Sequence, residues 1–128
     1  MDANEYQYLA ARTLIAEPDA QYTTFELMLA WNAIGLTGEA GEVADTVKKA
    51  VFHRHPLDRV ELVKELGDVL WYVAALCSKL EVPMSEVMAL NIEKLRQRYP
   101  DGYSSDASLK RDEWRMQGLQ DAANPTEV

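Results

Sequence analysis

Apolar residues recur along this chain at spacings of three and four, the mark of helices with one buried stripe. Asn4 is expected to cap a first helix running to about Ala16, with Tyr6, Leu9, Ala10 and Leu14 on one side and Pro18 ending it. Thr23-x-x-Glu26 is a capping-box pattern that opens a second helix running to about Phe52. That helix carries Gly35, Gly38 and Gly41 near one face, a pattern that predicts close approach of another backbone or a kink. His53 to Leu57, with Pro56, reads as a short connection. Asp58-x-x-Glu61 opens a third helix to about Leu80, and Leu62, Leu66, Val69, Val73, Leu76 and Leu80 form its predicted buried stripe. After the Val82-Pro83 turn, a fourth helix is expected from Ser85 to Tyr99, with Val87, Met88, Ile92 and Leu95 on its apolar side and Pro100 as its stop. No segment shows sustained period-2 alternation, so the expected fold is all-α, a four-helix bundle-like assembly of helix hairpins.

The expected division is a helical domain over residues 1–103 and a polar tail over 104–128. Trp114, Met116 and Leu119 in the tail suit a short docked helix, and the last residues suit disorder. Phe25, Phe52, Tyr22 and Trp71 are read as core aromatics. Cys77, the single cysteine, falls in the third helix's apolar stripe and reads as a core thiol. One cysteine permits no intrachain disulfide, which fits a reducing, cytoplasmic setting. The N-terminus has no apolar signal core, and the longest apolar run, Val69 to Cys77, is far shorter than a membrane span.

The formal net charge is −8. A binder of polymeric nucleic acid needs a basic footprint, so DNA and RNA are not expected partners. A chain of 128 residues also buries a modest share of its surface alone, so association between copies is a natural remedy.

Two acidic pairs carry the candidate chemistry: Glu39-x-x-Glu42 and Glu65-x-x-Asp68. Residues three apart share a helix face, so each pair directs two carboxylates to one place. Folding the second and third helices back about residue 55 sets Glu39 and Glu42 opposite residues 68–72, within a turn of Glu65 and Asp68. Carboxylates converging at a core edge repel one another, and a hard divalent cation relieves that repulsion. Mg²⁺ or Mn²⁺ suits such a set better than Zn²⁺, since no Cys or His accompanies it. A solvated acidic surface is the alternative. Lys49, seven residues after Glu42, shares the acidic face of its helix; Asn91, Lys94 and Arg98 share one face of the fourth helix. Such groups can hold phosphate oxygens beside a metal, or simply be solvated. His53 and His55 are read as loop residues rather than ligands.

At these residues the sequence resembles the MazG-like nucleotide pyrophosphohydrolases of the all-helical triphosphate pyrophosphatase superfamily. The similar stretches run from Gly35 through Gly38-Glu39-Ala40-Gly41-Glu42 to Asp45, from Lys64-Glu65-Leu66-Gly67-Asp68 to Tyr72, and from Asn91 through Lys94 to Arg98-Tyr99-Pro100. Asn4-Glu5-Tyr6-Gln7 resembles the family's usual opening. Gly38 stands where the family pattern has its first acid. The resemblance implies a MazG fold in a homodimer or homotetramer. It implies hydrolysis of a (deoxy)nucleoside triphosphate to monophosphate and pyrophosphate with Mg²⁺, or Mn²⁺ as substitute. It casts Glu39, Glu42, Glu65 and Asp68 as metal ligands and catalytic groups, with Glu39 or Glu42 accepting a proton from water. Lys49, Tyr72, Asn91, Lys94 and Arg98 are implied as substrate contacts, and Trp31, Asn32 or Trp71 as candidates beside the base. A non-catalytic dimerisation or nucleotide-binding module is the competing expectation.

Overall fold

The computed structural model describes residues 1–14 and 24–105, and these are helical throughout their regular structure. Helix α1 spans Ala3–Ala10 and tightens into a 3₁₀ turn, Ala11–Thr13. Helix α2 spans Phe25–Phe52, α3 spans Arg59–Lys79 and α4 spans Met84–Arg98. The expected all-α class is therefore the observed one. Pro18, Thr23 and Trp114 to Leu119 lie outside the described residues.

The helix starts follow local chemistry, with two shifts from expectation. Asp2, not Asn4, caps α1: its carboxylate accepts from the amides of Asn4 and Glu5, both at 2.9 Å. Thr24 caps α2, its Oγ1 accepting from Leu27 N at 3.3 Å. Asp58 caps α3 as its pattern predicts, accepting from Val60 and Glu61. Asn4 is displaced from its expected role because its side chain has tertiary work: Oδ1 accepts from Ser85 N at 3.0 Å. Gln7 joins it. Its Oε1 accepts from Met84 N at 2.7 Å, while Nε2 donates to Val82 O at 3.0 Å and Ser78 Oγ at 3.4 Å. The first two amides of α4 are thus satisfied from α1, and those of Glu86 and Val87 donate to Pro83 O. Helix α3 closes with Val82 N on Cys77 O and Glu81 N on Ser78 O, and Glu81 takes the left-handed conformation (φ 56°) that this reversal requires.

The chain forms two compact units, Met1–Val87 and Met88–Val128. In the first, α2 and α3 share the most extensive contact, and α1 packs on α3. They run antiparallel: Glu39 meets Glu65 and Asp68, while Gly35, earlier on α2, meets Tyr72, later on α3. The buried cluster is Ala74, Cys77 and Met84, with Ala3, Tyr6, Ala10 and Val73 packed against it. Cys77 is the core thiol its position predicts.

The rest of the predicted stripe needs correction. Leu66 and Leu80 are exposed, and so are Phe25 and Phe52, which the sequence suggested as core. Periodicity finds an apolar face but not its neighbour: small residues, Ala74 and Ala75, occupy the closest-packed turn of α3. The apolar side of α4, Val87, Met88, Ile92 and Leu95, is exposed as well. In the second unit, the C-terminal part of α4 leads to Tyr99, whose ring lies 5.5 Å from that of Tyr103.

Candidate metal and nucleotide site

Helix α2 runs unbroken through Gly35, Gly38 and Gly41, so the three glycines make no break. Only Gly35 shows the predicted close approach, and the neighbour is a ring rather than a backbone. A Cβ at Gly35 would overlap Tyr72 Cε1 and Cζ, whereas Gly38 and Gly41 have no such neighbour within 4 Å. The Tyr72 ring therefore rests against α2 at Gly35, one turn before Glu39. Gly35→Ala is expected to destabilise the protein by about 1–2 kcal/mol, because the ring must move and that overpacking outweighs alanine's better helix propensity. Gly38→Ala should instead stabilise by about 0.5–1 kcal/mol. Denaturant unfolding of the two variants checks the contrast.

One turn further along, Glu39 of α2 meets Glu65 and Asp68 of α3, with carboxylate oxygens within 4.8 Å of one another. Glu39 and Glu65 are half-buried and Asp68 is exposed. The expected register is thus realised for three of the four acids. Glu42 is exposed and stands outside this group, yet it is near enough to act on Glu65. The carboxyl of Glu65 is pushed above the ordinary glutamate range, first by desolvation and then by the charges of Glu61, Glu42, Glu39 and Asp68. Glu61, one turn before Glu65, is an influence the paired motifs did not reveal.

The donor set fits a hard divalent cation. It offers carboxylate oxygens alone, clustered closely enough to share one ion, and its charge repulsion is relieved by binding.

The other site residues divide by place. Lys49 pairs with Asp45, which also receives Lys48. Hydrogen bonds from Lys48 and Lys49 lower the Asp45 carboxyl to about 2, and Asp45 in turn raises Lys49, with Glu42 adding a smaller push. Asn91 and Lys94 are exposed and Arg98 half-buried, on one face of α4 in the second unit. Two candidates for the base have structural duties instead. Asn32 is buried, its Nδ2 donating to Met28 O at 2.7 Å, and Trp71 Nε1 donates to Thr13 Oγ1 at 2.7 Å. Trp31 is exposed.

Periodicity marks Tyr6 only as an apolar position, and the resemblance of the chain's opening gives it no role in the site. Its hydroxyl donates to Gly67 O at 3.3 Å, beside Asp68. Burial, and secondarily the Asp68 charge, raise its pKa above that of an ordinary tyrosine.

Helices α2 and α3, joined as an antiparallel hairpin and carrying convergent carboxylates, define an all-helical protein with an acidic cluster that could hold a metal ion. The chain belongs to the MazG family: residues 25–103 match the MazG nucleotide pyrophosphohydrolase domain. It is similar to the Gene 37 protein of Mycobacterium phage L5, with 38% identity over 106 residues, covering 80% of this chain and 92% of that protein. No solved structure matches. The family generally uses a divalent metal and acts on nucleotides. Among the described residues, no helix is long and apolar enough to cross a membrane.

Proposed function

We propose that this protein is a metal-dependent pyrophosphohydrolase that converts (deoxy)nucleoside triphosphates to monophosphates and pyrophosphate, acting in control or cleaning of the nucleotide pool in the cytoplasm. The carrying observation is the meeting of Glu39 with Glu65 and Asp68 within 4.8 Å in a chain of the MazG family. Those three carboxylates would hold Mg²⁺, with Mn²⁺ a substitute. Bound there, the cation supplies charge neutralisation to the triphosphate and lowers the pKa of the attacking water.

The protein's own groups do the rest. Water attacks the α-phosphorus, the bond to the bridging oxygen of the β-phosphate breaks, and pyrophosphate leaves. Glu42, outside the three-carboxylate group but adjoining it, takes the water's proton. Tyr72, fixed against Gly35, bounds the nucleotide side of the site. Lys49 contacts the phosphates, exchanging Asp45 for a phosphate oxygen.

The protein acts as a homodimer or a homotetramer. On α2, Leu27, Trp31 and Ile34 are exposed at helical spacing, and on α3 so are Val60, Val63, Leu66 and Leu70. Stripes of this kind mark surfaces that a partner covers, and here the partner is a second copy.

The test is pyrophosphate release from a panel of canonical and modified (deoxy)nucleoside triphosphates with Mg²⁺, each with and without EDTA. Monophosphate and pyrophosphate formed only with metal is the expected result. Silence across the panel from folded protein, with Mn²⁺ also supplied, would replace the enzyme reading with that of a nucleotide-binding module.

A further inference from the structure

Helix α1 lies outside residues 25–103, so the family match says nothing of what it contributes. It is nonetheless firmly placed. Asn4 and Gln7 fasten it to the turn between α3 and α4 through Ser85 N, Met84 N, Val82 O and Ser78 Oγ. The Tyr6 ring packs against the cluster of Ala74, Cys77 and Met84. A ring so held leaves its hydroxyl little freedom, and that hydroxyl sits 3.3 Å from Gly67 O, on the residue preceding Asp68. Asp68 is close enough to act electrostatically on the phenol. It is also the exposed member of the carboxylate group, the one whose rotamer the hairpin interface constrains least.

We propose that Tyr6 is a positioning residue of the metal centre, its hydroxyl on the Gly67 carbonyl fixing the Asp68 end of the site from α1. This rests on the metal-site reading given above. The bond holds the α3 backbone at Gly67, next to the Cα from which the Asp68 side chain extends, and such outer contacts set how a ligand is presented to a metal. A phenol suits the place: it donates without adding charge to a site that must attract a cation. Tyr8 on the same helix is 75% exposed, so it provides a control on α1 itself.

The experiment measures Mn²⁺ binding to the full chain by calorimetry, together with the spin-resonance spectrum of the bound ion, for the natural protein, Tyr6→Phe and Tyr8→Phe. Phenylalanine keeps the ring packing, and thermal unfolding verifies that the fold is retained. Tyr6→Phe is expected to weaken Mn²⁺ by about tenfold and to change the spectrum of the bound ion, while Tyr8→Phe does neither. Affinity within about twofold of the natural protein and an unchanged spectrum for Tyr6→Phe would overturn the inference while leaving the metal site standing. No Mn²⁺ binding by the natural protein would overturn both.

Discussion

Glu65→Gln is expected to reduce metal-dependent hydrolysis by about 10²–10³-fold and, without metal, to leave the protein more thermostable rather than less. The two effects have one cause. Desolvation comes first, and the surrounding charges of Glu61, Glu42, Glu39 and Asp68 second, in holding the Glu65 carboxyl above its ordinary value. A carboxyl raised on folding favours its protonated form in the folded state. Its contribution to stability is therefore present below the ordinary glutamate range and lost as pH rises through the raised value. At neutral pH the metal-free protein carries the repulsion in full, and glutamine removes it at nearly constant shape. A divalent cation removes it too, so Mg²⁺ should raise the melting temperature of the natural protein and do so much less for the variant.

Asp45 supplies the opposite case within the same hairpin. Hydrogen bonds from Lys48 and Lys49 lower its carboxyl to about 2. Its contribution is present above the ordinary aspartate range and is lost as pH falls toward 2. Asp45→Asn should lower stability slightly at neutral pH, since the cluster is exposed and screened. Melting curves with and without Mg²⁺, read beside pyrophosphate release, check the pair. Full Mg²⁺-dependent turnover by Glu65→Gln would remove Glu65 from the ligand set.

The second large effect concerns assembly. Ile34→Glu or Val63→Glu is expected to weaken self-association by at least about 30-fold, or ~2 kcal/mol, the loss usual for a well-placed interface anchor. In a single chain Ile34 is 73% exposed and Val63 is 67% exposed, so neither substitution disturbs packing within the hairpin. The change must therefore appear in molecular mass and not in the circular dichroism of the helices. Added negative charge is effective here because each copy already carries −8. Light scattering across a dilution series measures the shift. A natural protein that is monomeric throughout that series would dismiss the oligomer, and the stripes on α2 and α3 would need another partner.

Much of this molecule was legible in its residues, for reasons that are local. Helix periodicity placed α2, α3 and α4 to within a residue or two, because 3.6-residue spacing and caps act within a few positions of chain. Asp58 capped α3 as its motif requires. The E-x-x-E and E-x-x-D spacings, with a short connection near residue 55, were enough to bring Glu39 toward Glu65 and Asp68, since an antiparallel hairpin converts distance from the turn into register.

Decisions that depend on what lies across an interface were absent from the pattern. A stripe of leucines states that some face is apolar, but not which turns a single chain covers; Leu66 stayed exposed while Ala74 and Ala75 took the closest packing. Glu42 shares a helix face with Glu39, yet the axial advance along α2 leaves it out of the tight group. Gly35 could be distinguished from Gly38 and Gly41 only by the ring that rests on it. Asn4 and Tyr6 gained their roles from α3 and α4, some 60 to 80 residues away in sequence. The helices, their order and the acidic pairs were readable from the residues alone, because those follow from neighbours along the chain. The tertiary structure alone decided which three carboxylates meet, which tyrosine stands beside them and which apolar faces remain open, because those follow from neighbours in space.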